Sequence, residues 1–328
     1  MNILLVRVSS LGDVLHNLPM VADIRRHFPD ANIDWVVEEG YVSLVRLNPG
    51  VRHIIPFALR RWRKRLGDKA VRAEIRAFFR QLREVEYDYV FDTQGLLKTG
   101  IIMGAARVRK GGKKVGLANG SEGSGYEGIS RIFHTQSIPL DPRTHAVARG
   151  RLVAGAALGY AVDTPADFGL PQIPEDAARP DWMPAGPYAV YFHGTARDAK
   201  KWAPEHWIAL GRELAPMTIL LPWGSPKELA EAEALAAAIP NARVLPKLSM
   251  ADAVLLARRA ALAVGVDTGL THIAAAFSRP VVEIYCDSPR WKTEGNWSPR
   301  IVNLGDRGSP PSVDEVAAAA LGLLKAEH

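Results

Sequence analysis

The first residues with a potential for chemistry form a short polar turn, Ser9-Ser10-Leu11-Gly12-Asp13. This turn separates a strand-like apolar run at residues 3–8 from an apolar pattern at helical spacing over residues 14–24. Asp13 is therefore expected at the carboxyl edge of a sheet, where doubly wound folds bind their ligands. Its carboxylate is either a helix cap or a general base for an attacking hydroxyl. Ser9 and Ser10 either cap the same helix or bind the molecule that carries this hydroxyl.

A second motif, Asp267-Thr268-Gly269-Leu270-Thr271-His272, follows the apolar run at residues 262–266 and begins a predicted helix. Unpaired amides at a helix N-terminus and the helix dipole together favour a bound phosphate. Asp267 can accept hydrogen bonds from sugar hydroxyls, and Gly269 lets the backbone approach a ligand closely. The alternative is N-capping by Asp267 and Thr268, with His272 satisfied inside the helix. We interpret the motif as a candidate diphosphate site.

Two loops that follow the predicted strands at residues 188–192 and 217–221 add charged groups to the same sheet edge. The first contains Thr195 and Lys200, and the Lys200 ammonium can neutralise a leaving diphosphate. The neighbouring Lys201 is expected to be solvated. Glu228 follows the second strand, where it either accepts hydrogen bonds from a ribose or lies exposed in the first turn of a helix.

The densest basic run of the chain is Arg60-Arg61-Trp62-Arg63-Lys64-Arg65. Such a run is usually a solvated face, but guanidinium groups also suit carboxylates and phosphates. Trp62 suits a wet apolar boundary such as a membrane interface. The first 150 residues hold 24 Lys and Arg against 15 Asp and Glu, in a chain of net charge +6. This excess predicts an anionic partner for the first half, which is nucleic acid, a membrane surface or an acidic small molecule.

Short apolar runs alternate with helix-length amphipathic segments, which predicts βα repetition around parallel sheets. Seven strands are predicted, at residues 3–8, 33–37, 87–91, 188–192, 217–221, 262–266 and 281–285. Six prolines between residues 163 and 187 indicate a linker. We predict an α/β protein with Rossmann-like, doubly wound domains at residues 1–165 and 188–328, joined by a linker at 166–187 and facing each other across a cleft. A last helix is predicted at residues 313–325, with Ser312 and Glu315 in capping-box spacing.

Several function classes are excluded by what the sequence lacks. The single cysteine, Cys286, rules out an intrachain disulfide and a multi-cysteine metal site. No apolar stretch approaches the roughly 20 residues of a membrane span, and the first residues lack the features of a signal peptide. A Walker loop, a G-x-G-x-x-G that directly follows a predicted strand, H-E-x-x-H and the Asp-x-Asp pair of metal-dependent sugar transferases are also missing. We therefore expect a cytoplasmic enzyme without a metal or a cofactor.

Five segments resemble the ADP-heptose-dependent lipopolysaccharide heptosyltransferases of bacteria. They are VSSLGDVLH at residues 8–16, DWVVEEG at 34–40, RRWRK at 60–64, LPWG at 221–224 and VDTGL at 266–270. The resemblance implies a GT-B glycosyltransferase fold and is strongest to the members that add the first heptose. The implied reaction is an inverting transfer of L-glycero-D-manno-heptose from ADP-heptose to the first Kdo sugar of Kdo-lipid A, in the synthesis of the lipopolysaccharide inner core.

The resemblance also implies roles for individual residues. The family's catalytic base matches Asp13. The residues assigned to the donor are Thr195, Ala196, Lys200, Glu228, Asp267, Thr268, Gly269, Leu270 and His272, of which Ala196 stands where relatives carry a hydroxyl residue. The residues assigned to the acceptor are Ser9, Ser10, Gly12, Arg60, Arg61 and Lys64. The glycine-rich residues 120–128 suit a lid over the acceptor.

The partners that the resemblance implies are ADP-heptose as a co-substrate, Kdo-lipid A as the acceptor, and the cytoplasmic face of the inner membrane as a peripheral contact. We expect a monomer that binds no nucleic acid, because a nucleic-acid-binding protein would leave the donor motifs unexplained. The alternatives are a transferase for the second heptose or another ADP-heptose-dependent transferase. A nucleotide-sugar epimerase is a further alternative, although it would have little use for the basic run.

Overall fold

The computed structural model describes residues 1–171 and 179–326. The chain divides into two compact units, Met1–Pro171 and Gln172–His328. Each unit contains one six-stranded parallel sheet whose strands are connected through helices. The predicted α/β class with two Rossmann-like sheets is therefore confirmed. Residues 172–178 of the predicted linker, and residues 327–328 of the predicted second domain, lie outside the described residues.

The sheet of the first unit has the strand order β3-β2-β1-β4-β5-β6. Its strands are β1 Asn2–Val6, β2 Asn32–Glu38, β3 Val51–Phe57, β4 Glu86–Asp92, β5 Arg107–Leu117 and β6 Gln136–Ile138. Its helices are α1 Leu11–His16, α2 Leu18–His27, α3 Val42–Val45, α4 Leu59–Trp62, α5 Lys69–Leu82, α6 Leu97–Ala105 and α7 Ala146–Leu158. The winding reverses between β1 and β4, so ligands are expected at the carboxyl ends of these two strands.

The sheet of the second unit has the order β12-β11-β10-β7-β8-β9 and repeats this arrangement. Its strands are β7 Tyr188–Phe192, β8 Thr218–Leu221, β9 Ala242–Val244, β10 Leu262–Val266, β11 Val281–Tyr285 and β12 Ile301–Gly305. Its helices are α8 Pro204–Glu213, α9 Pro226–Ala238, α10 Met250–Arg259, α11 Gly269–Ala276 and α12 Val313–Lys325. Here the winding reverses between β7 and β10, which places the corresponding ligand site at their carboxyl ends.

Three of the four strands at the two switch points, β1, β7 and β10, are central and buried on both faces. Every residue of β7 and β10 is buried, as are four of the five residues of β1. A strand with helices on both faces needs apolar side chains in both directions, and so it reads as a continuous apolar run. This burial explains why these strands were predictable, and it makes each switch point a rigid base for the loops that follow.

Two predictions about helices have different outcomes. Ser312 and Glu315 form the predicted capping box of α12: the Ser312 amide donates to Glu315 at 2.8 Å, and the Glu315 amide donates back to the Ser312 hydroxyl at 3.3 Å. The single helix expected after Asp13 is wrong, because α1 ends at His16 and α2 begins at Leu18. Pro19 has no amide hydrogen to continue the first helix, and it is well suited to the first turn of the second.

The glycine-rich residues 120–128 are anchored in the structure. The Tyr126 hydroxyl donates to the carbonyls of Leu117 and Ala118 at 3.2 and 3.1 Å, and the Glu127 amide donates to the Gly95 carbonyl at 2.8 Å. Their role as a lid stays a prediction. Within residues 1–171 and 179–326, no helix has the length and hydrophobicity needed to span a bilayer.

Candidate functional site

Asp13 lies in the first turn of α1, beside the switch point of the first sheet. Ser10 is the N-cap, and its amide and hydroxyl both donate to Asp13 Oδ2, at 3.0 and 2.9 Å. The other carboxylate oxygen, Oδ1, lies 2.7 Å from Nη2 of Arg7. The capping interpretation therefore describes the geometry of Asp13. It does not exclude a role for Asp13 as a general base, because 38% of the side chain is exposed and within reach of a substrate. Gly12 precedes Asp13 in the same turn.

The electrostatic surroundings keep Asp13 ionised. Burial would raise the pKa of Asp13, but the Arg7 cation and the hydrogen bonds from Ser10 outweigh it and lower the pKa to about 2. Such a weak base accepts a proton only when the attacking hydroxyl has become acidic during bond formation. Arg149 on α7 also interacts with Asp13, and burial lowers the pKa of its guanidinium. Sequence reasoning missed both arginines, although Arg7 is two residues from Ser9.

The first turn of α6, which follows β4, contributes a cation that the sequence analysis also missed. Lys98 Nζ lies 3.2 Å from the hydroxyl of Ser9, and Gln94 Nε2 lies 3.3 Å from the same oxygen. Burial lowers the pKa of Lys98, and the nearby Arg60 and Arg63 add to this effect while Glu38 opposes it. Lys98 and Ser9 therefore lie at the β1–β4 switch point, together with part of the basic run.

The basic run separates into structural and available cations. Arg61 donates to Glu39 at 3.1 and 3.0 Å and to Glu74 at 2.8 Å. Arg60 and Lys64 are exposed and make no ion pair with any residue in the described ranges. The structure thus leaves Arg60 and Lys64 available for an acceptor, whereas Arg61 stabilises the turn.

The expectation for Trp62 is wrong. Only 5% of this side chain is exposed, because its ring packs edge-on against Phe57 and Phe78. Its indole nitrogen donates to Glu74 at 3.0 Å. The indole is a core residue of the first unit, so it is not available to a membrane. Its neighbours in sequence, Arg61 and Arg63, are exposed.

The second unit brings two predicted donor residues together at its switch point. Lys200, from the loop after β7, forms an ion pair with Oδ2 of Asp267, the residue that follows β10. Oδ1 of Asp267 lies 3.0 Å from His272 Nε2 and accepts a hydrogen bond from the Thr293 hydroxyl at 3.3 Å. Burial opposes ionisation of Asp267, but His272 and Lys200 hold the pKa of its carboxyl far below the usual range. The two loops are thus joined by charge across the sheet edge.

His272 is enclosed by two carboxylates. Its Nδ1 lies 2.9 Å from Oε1 of Glu283, a fully buried residue of β11. Glu283 also accepts hydrogen bonds from the Tyr285 hydroxyl at 2.9 Å and the Gly295 amide at 3.0 Å. Burial would lower the pKa of His272, but Glu283 and Asp267 raise it to about 10. The ring is therefore a buried imidazolium that is paired with both carboxylates. Sequence reasoning did not single out Glu283. The feature that could have found it is a single charged residue within the apolar run at residues 281–285.

The first turn of α11 keeps its anion-binding geometry. Thr268 is the N-cap but its side chain makes no capping hydrogen bond, and Asp267 is engaged with Lys200 and His272. The amides of Gly269, Leu270 and Thr271 have no acceptor within the helix, because the first turn of any helix leaves its donors unpaired. Capping by the Asp267 and Thr268 side chains is thus not what this motif forms, although His272 is satisfied inside the helix as that alternative expected. The amides of the first turn remain available to a phosphate.

Glu228 lies in the first turn of α9, as the second interpretation of this residue predicted, but it is half-buried rather than exposed. Its Oε2 accepts hydrogen bonds from the amides of Gly224 and Ser225 at 2.6 and 3.1 Å. A Cβ atom at Gly194 would lie 2.9 Å from the Glu228 carboxyl, so glycine is needed for this approach to the loop after β7. Thr195 and Ala196 follow in that loop. Oε1 of Glu228 has no hydrogen bond to a described residue, and it can accept one from a ligand.

The expectation that Lys201 is solvated is wrong. Its ammonium pairs with Asp198 and Glu231, at 2.9 and 2.5 Å, and only 20% of the side chain is exposed. Lys201 therefore fastens the loop that presents Lys200. Within the described ranges, no three His, Cys, Asp or Glu side chains lie close enough together to bind a metal.

Comparison with known proteins gives consistent matches over most of the chain. The family model for glycosyltransferase family 9 (heptosyltransferase) matches residues 75–320. Lipopolysaccharide heptosyltransferase 1 of Pseudomonas aeruginosa is 38% identical over 288 residues, which cover 87% of this chain and 78% of that protein. The structure of the E. coli heptosyltransferase WaaC with ADP matches with a TM-score of 0.82 at 31% identity, covering 100% of both chains. The same enzyme with ADP-2-deoxy-2-fluoro heptose gives 0.78 at 32%, again covering 100% of both.

Proposed function

Because this chain belongs to glycosyltransferase family 9, the heptosyltransferase family, we propose that it transfers L-glycero-D-manno-heptose from ADP-heptose to the first Kdo of Kdo-lipid A. Relatives named lipopolysaccharide heptosyltransferase 1 support this step of inner-core synthesis. A transferase for the second heptose is the alternative within the family. The observation that carries the proposal is the ion pair of Lys200 and Asp267 at the β7–β10 switch point, beside the unpaired amides of α11.

The donor half of the reaction uses the second unit. The ADP diphosphate binds at the amides of Gly269 and Leu270, and Lys200 contributes a cation beside it. Negative charge grows on the diphosphate as its bond to the heptose breaks, and these fixed dipoles and the ammonium stabilise that charge. Oε1 of Glu228 accepts hydrogen bonds from the ribose. The structures of WaaC with ADP and with a fluorinated ADP-heptose support a nucleotide-sugar donor.

The acceptor half uses the first unit. A Kdo hydroxyl attacks the anomeric carbon of the heptose, and the new bond forms on the face opposite the departing ADP. The sugar has oxocarbenium character in the transition state, as in glycoside hydrolysis. Asp13 takes the hydroxyl proton as the carbon–oxygen bond forms, and Arg7 holds its carboxylate in place. The product is inverted at the anomeric carbon.

The acceptor is held by cations of the first unit. Arg60 and Lys64 are exposed on the basic run, and Lys98 lies beside Ser9 at the sheet edge. These groups suit the Kdo carboxylates and the phosphates of lipid A. Because the acceptor is a membrane lipid, the protein binds peripherally to the cytoplasmic face of the inner membrane. It acts there as a monomer. The same cations serve the lipid acceptor and no nucleic acid.

ADP release is the experiment that separates transfer from its alternatives. The purified chain is given ADP-heptose or other nucleotide sugars, each with and without Kdo-lipid A. We expect rapid ADP release only when ADP-heptose and Kdo-lipid A are both present. ADP release with the donor alone would indicate a hydrolase, and conversion of the donor into another ADP-sugar without ADP release would indicate an epimerase. A requirement for an acceptor that already carries one heptose would assign the chain to the second transfer step.

A further inference from the structure

The first unit exposes an unusual group of large apolar side chains. Four of the six large hydrophobic residues that are exposed in the described ranges lie on α6 and on the 3₁₀ helix Gly128–Phe133, which packs against α6. Their exposed fractions run from 41% to 68%. We call these four residues the apolar ridge: Leu97, Ile101, Ile129 and Ile132.

Packing explains why these side chains face outwards. A Cβ atom at Gly100 or at Gly104 would lie 2.6 Å from the ring of Phe133, so the two glycines form the face of α6 that receives the 3₁₀ helix. The Leu97 amide also donates to Glu127 at 2.6 Å, which fastens the two elements at one end. Because these faces of α6 and the 3₁₀ helix pack against each other, the side chains of Leu97 and Ile101 on α6 and of Ile129 and Ile132 on the 3₁₀ helix remain exposed. Each pair has helical spacing and forms a stripe.

Basic residues lie beside parts of the apolar ridge, together with Glu127, which accepts a hydrogen bond from the Leu97 amide. Arg131 is exposed between the two isoleucines of the 3₁₀ helix, and Lys98 follows the leucine that begins α6. Arg60 and Arg63 lie close enough to Lys98 to repel its charge. Apolar side chains flanked by arginine and lysine are typical of surfaces that rest in the headgroup region of an anionic membrane.

We propose that the apolar ridge is a docking surface for an anionic lipid bilayer. The four side chains enter the boundary between headgroups and acyl chains, while Arg131 and Arg63 contact lipid phosphates. The inference rests on the proposed function in one respect, since an enzyme for a lipid-borne acceptor must work at the membrane. The ridge is joined through Lys98 to the cations assigned to that acceptor, so docking would present the bilayer next to the acceptor site.

Vesicle binding without any acceptor tests the surface by itself. The full chain is floated with vesicles of phosphatidylcholine, alone or mixed with phosphatidylglycerol. We expect binding to the anionic vesicles that weakens as salt is added. The variants I129Q with I132Q, and L97Q with I101Q, keep side-chain size and helix propensity but remove the apolar surface. Each double variant should bind at least about tenfold more weakly.

The matched control is L152Q, which makes the same kind of change at an exposed residue of α7, outside the ridge. It should bind like the wild type, and all variants should keep their melting temperature because the changed side chains are exposed. Wild-type binding by both double variants would overturn the proposal. It would also be overturned if sedimentation gave a dimer that the variants dissociate, because a second copy of the chain would then cover the ridge.

Activity distinguishes this proposal from the proposed function. The ridge variants should transfer heptose to a detergent-dispersed acceptor at the wild-type rate, and transfer poorly to the same acceptor in vesicles. Equal loss on both acceptors would place these residues in the catalytic site and contradict a docking role. Absence of transfer by the wild type would refute the proposed function, while the flotation result would still decide whether the ridge binds membranes.

Discussion

Asp13 combines a structural contact with the position expected of a base. Its Oδ2 accepts both hydrogen bonds of the Ser10 cap, and its Oδ1 faces Arg7. The two interpretations drawn from the sequence are therefore compatible. They differ in what the negative charge does, because asparagine can accept the capping hydrogen bonds but cannot take a proton.

The first prediction uses Asp13→Asn. Turnover should fall by about 10² to 10⁴ fold, while ADP-heptose affinity and melting temperature stay near the wild type. Asp68→Asn is the matched control, since Asp68 caps α5 by accepting from the Ala70 amide at 2.8 Å. It should leave turnover unchanged. Near-normal turnover in a folded Asp13→Asn protein would remove Asp13 from the mechanism.

The second prediction concerns the charge of His272. Because its folded pKa is raised from 6.5 to about 10, the protonated ring stabilises the fold below pH 6.5, and this contribution is lost as the pH rises through 10. Asp267 and Glu283 contact the ring, with Lys200 and Tyr285 one contact further away. Donor affinity in the wild type should therefore be nearly constant between about pH 6 and 9.

Glu283→Gln removes one of the two carboxylates that keep His272 charged. Burial then lowers the pKa of His272, and the ring loses its proton as the pH rises. We expect calorimetry to show ADP-heptose affinity that weakens with rising pH in this variant. Glu283→Asp keeps the charge and should restore the flat profile. An equal loss of affinity at every pH would indicate that Glu283 only fills space.

At the scale of elements, the burial of a strand determines whether it could be predicted from the sequence. All seven predicted strands exist, with ends within two residues of those predicted. The strands that were missed are β3, β6, β9 and β12, which are the four sheet edges, together with β5. Edge strands are partly solvated. The apolar residues of β3 are interrupted by Arg52, His53 and Pro56, and β5 contains five Lys or Arg residues. Their sequences therefore lack the apolar runs that mark central strands.

The candidate site was predictable to the same degree. Residues in loops after central strands, such as Asp13 and Asp267, were found because the strand before them was recognisable. Arg7, Lys98 and Glu283 were missed, because each acts through a contact with a residue distant in sequence or hidden inside an element. Spacing along the chain does not report such pairings.

The third prediction separates the cations of the basic run. Arg60→Ala with Lys64→Ala should weaken acceptor use without changing donor affinity or melting temperature, because neither side chain pairs with a described residue. Arg61→Ala should lower the melting temperature, because it removes the contacts with Glu39 and Glu74.

Two other exposed arginines provide the control for this test, changed together as Arg72→Ala and Arg76→Ala on α5. They remove the same amount of positive charge outside the run. The measurements are the KM for Kdo-lipid A, the Kd for ADP-heptose and thermal unfolding. If the control weakened acceptor use as much as the Arg60 and Lys64 changes, general charge would explain the effect and the assignment to specific residues would fail.

At the scale of the whole molecule, the two units carry different charges and different chemistry. The proposal assigns the base and the acceptor cations to the first unit, which holds most of the positive charge. The second contains the diphosphate site, whose dipoles and ammonium are protein groups. This division explains why one half of the sequence is basic although the other is not.

The fourth prediction follows because the groups proposed to bind the diphosphate, helix amides and the Lys200 ammonium, belong to the protein. Excess EDTA should leave the transfer rate nearly unchanged, because helix amides and Lys200 stabilise the leaving diphosphate. The rate is measured before and after chelation, with Mg²⁺ and Mn²⁺ added back. A large loss that either cation restores would mean that a metal carries this charge.

The central claim is that this chain adds one heptose to Kdo-lipid A, and the mass of the lipid product tests it most directly. Kdo-lipid A is incubated with ADP-heptose and the purified chain, and the lipid is analysed by mass spectrometry. The account predicts that the lipid gains one heptosyl residue, with an equal amount of ADP released, and that Asp13→Asn lowers both by at least about 10² fold within the same time. A lipid of unchanged mass, with ADP-heptose bound to folded protein, would contradict it.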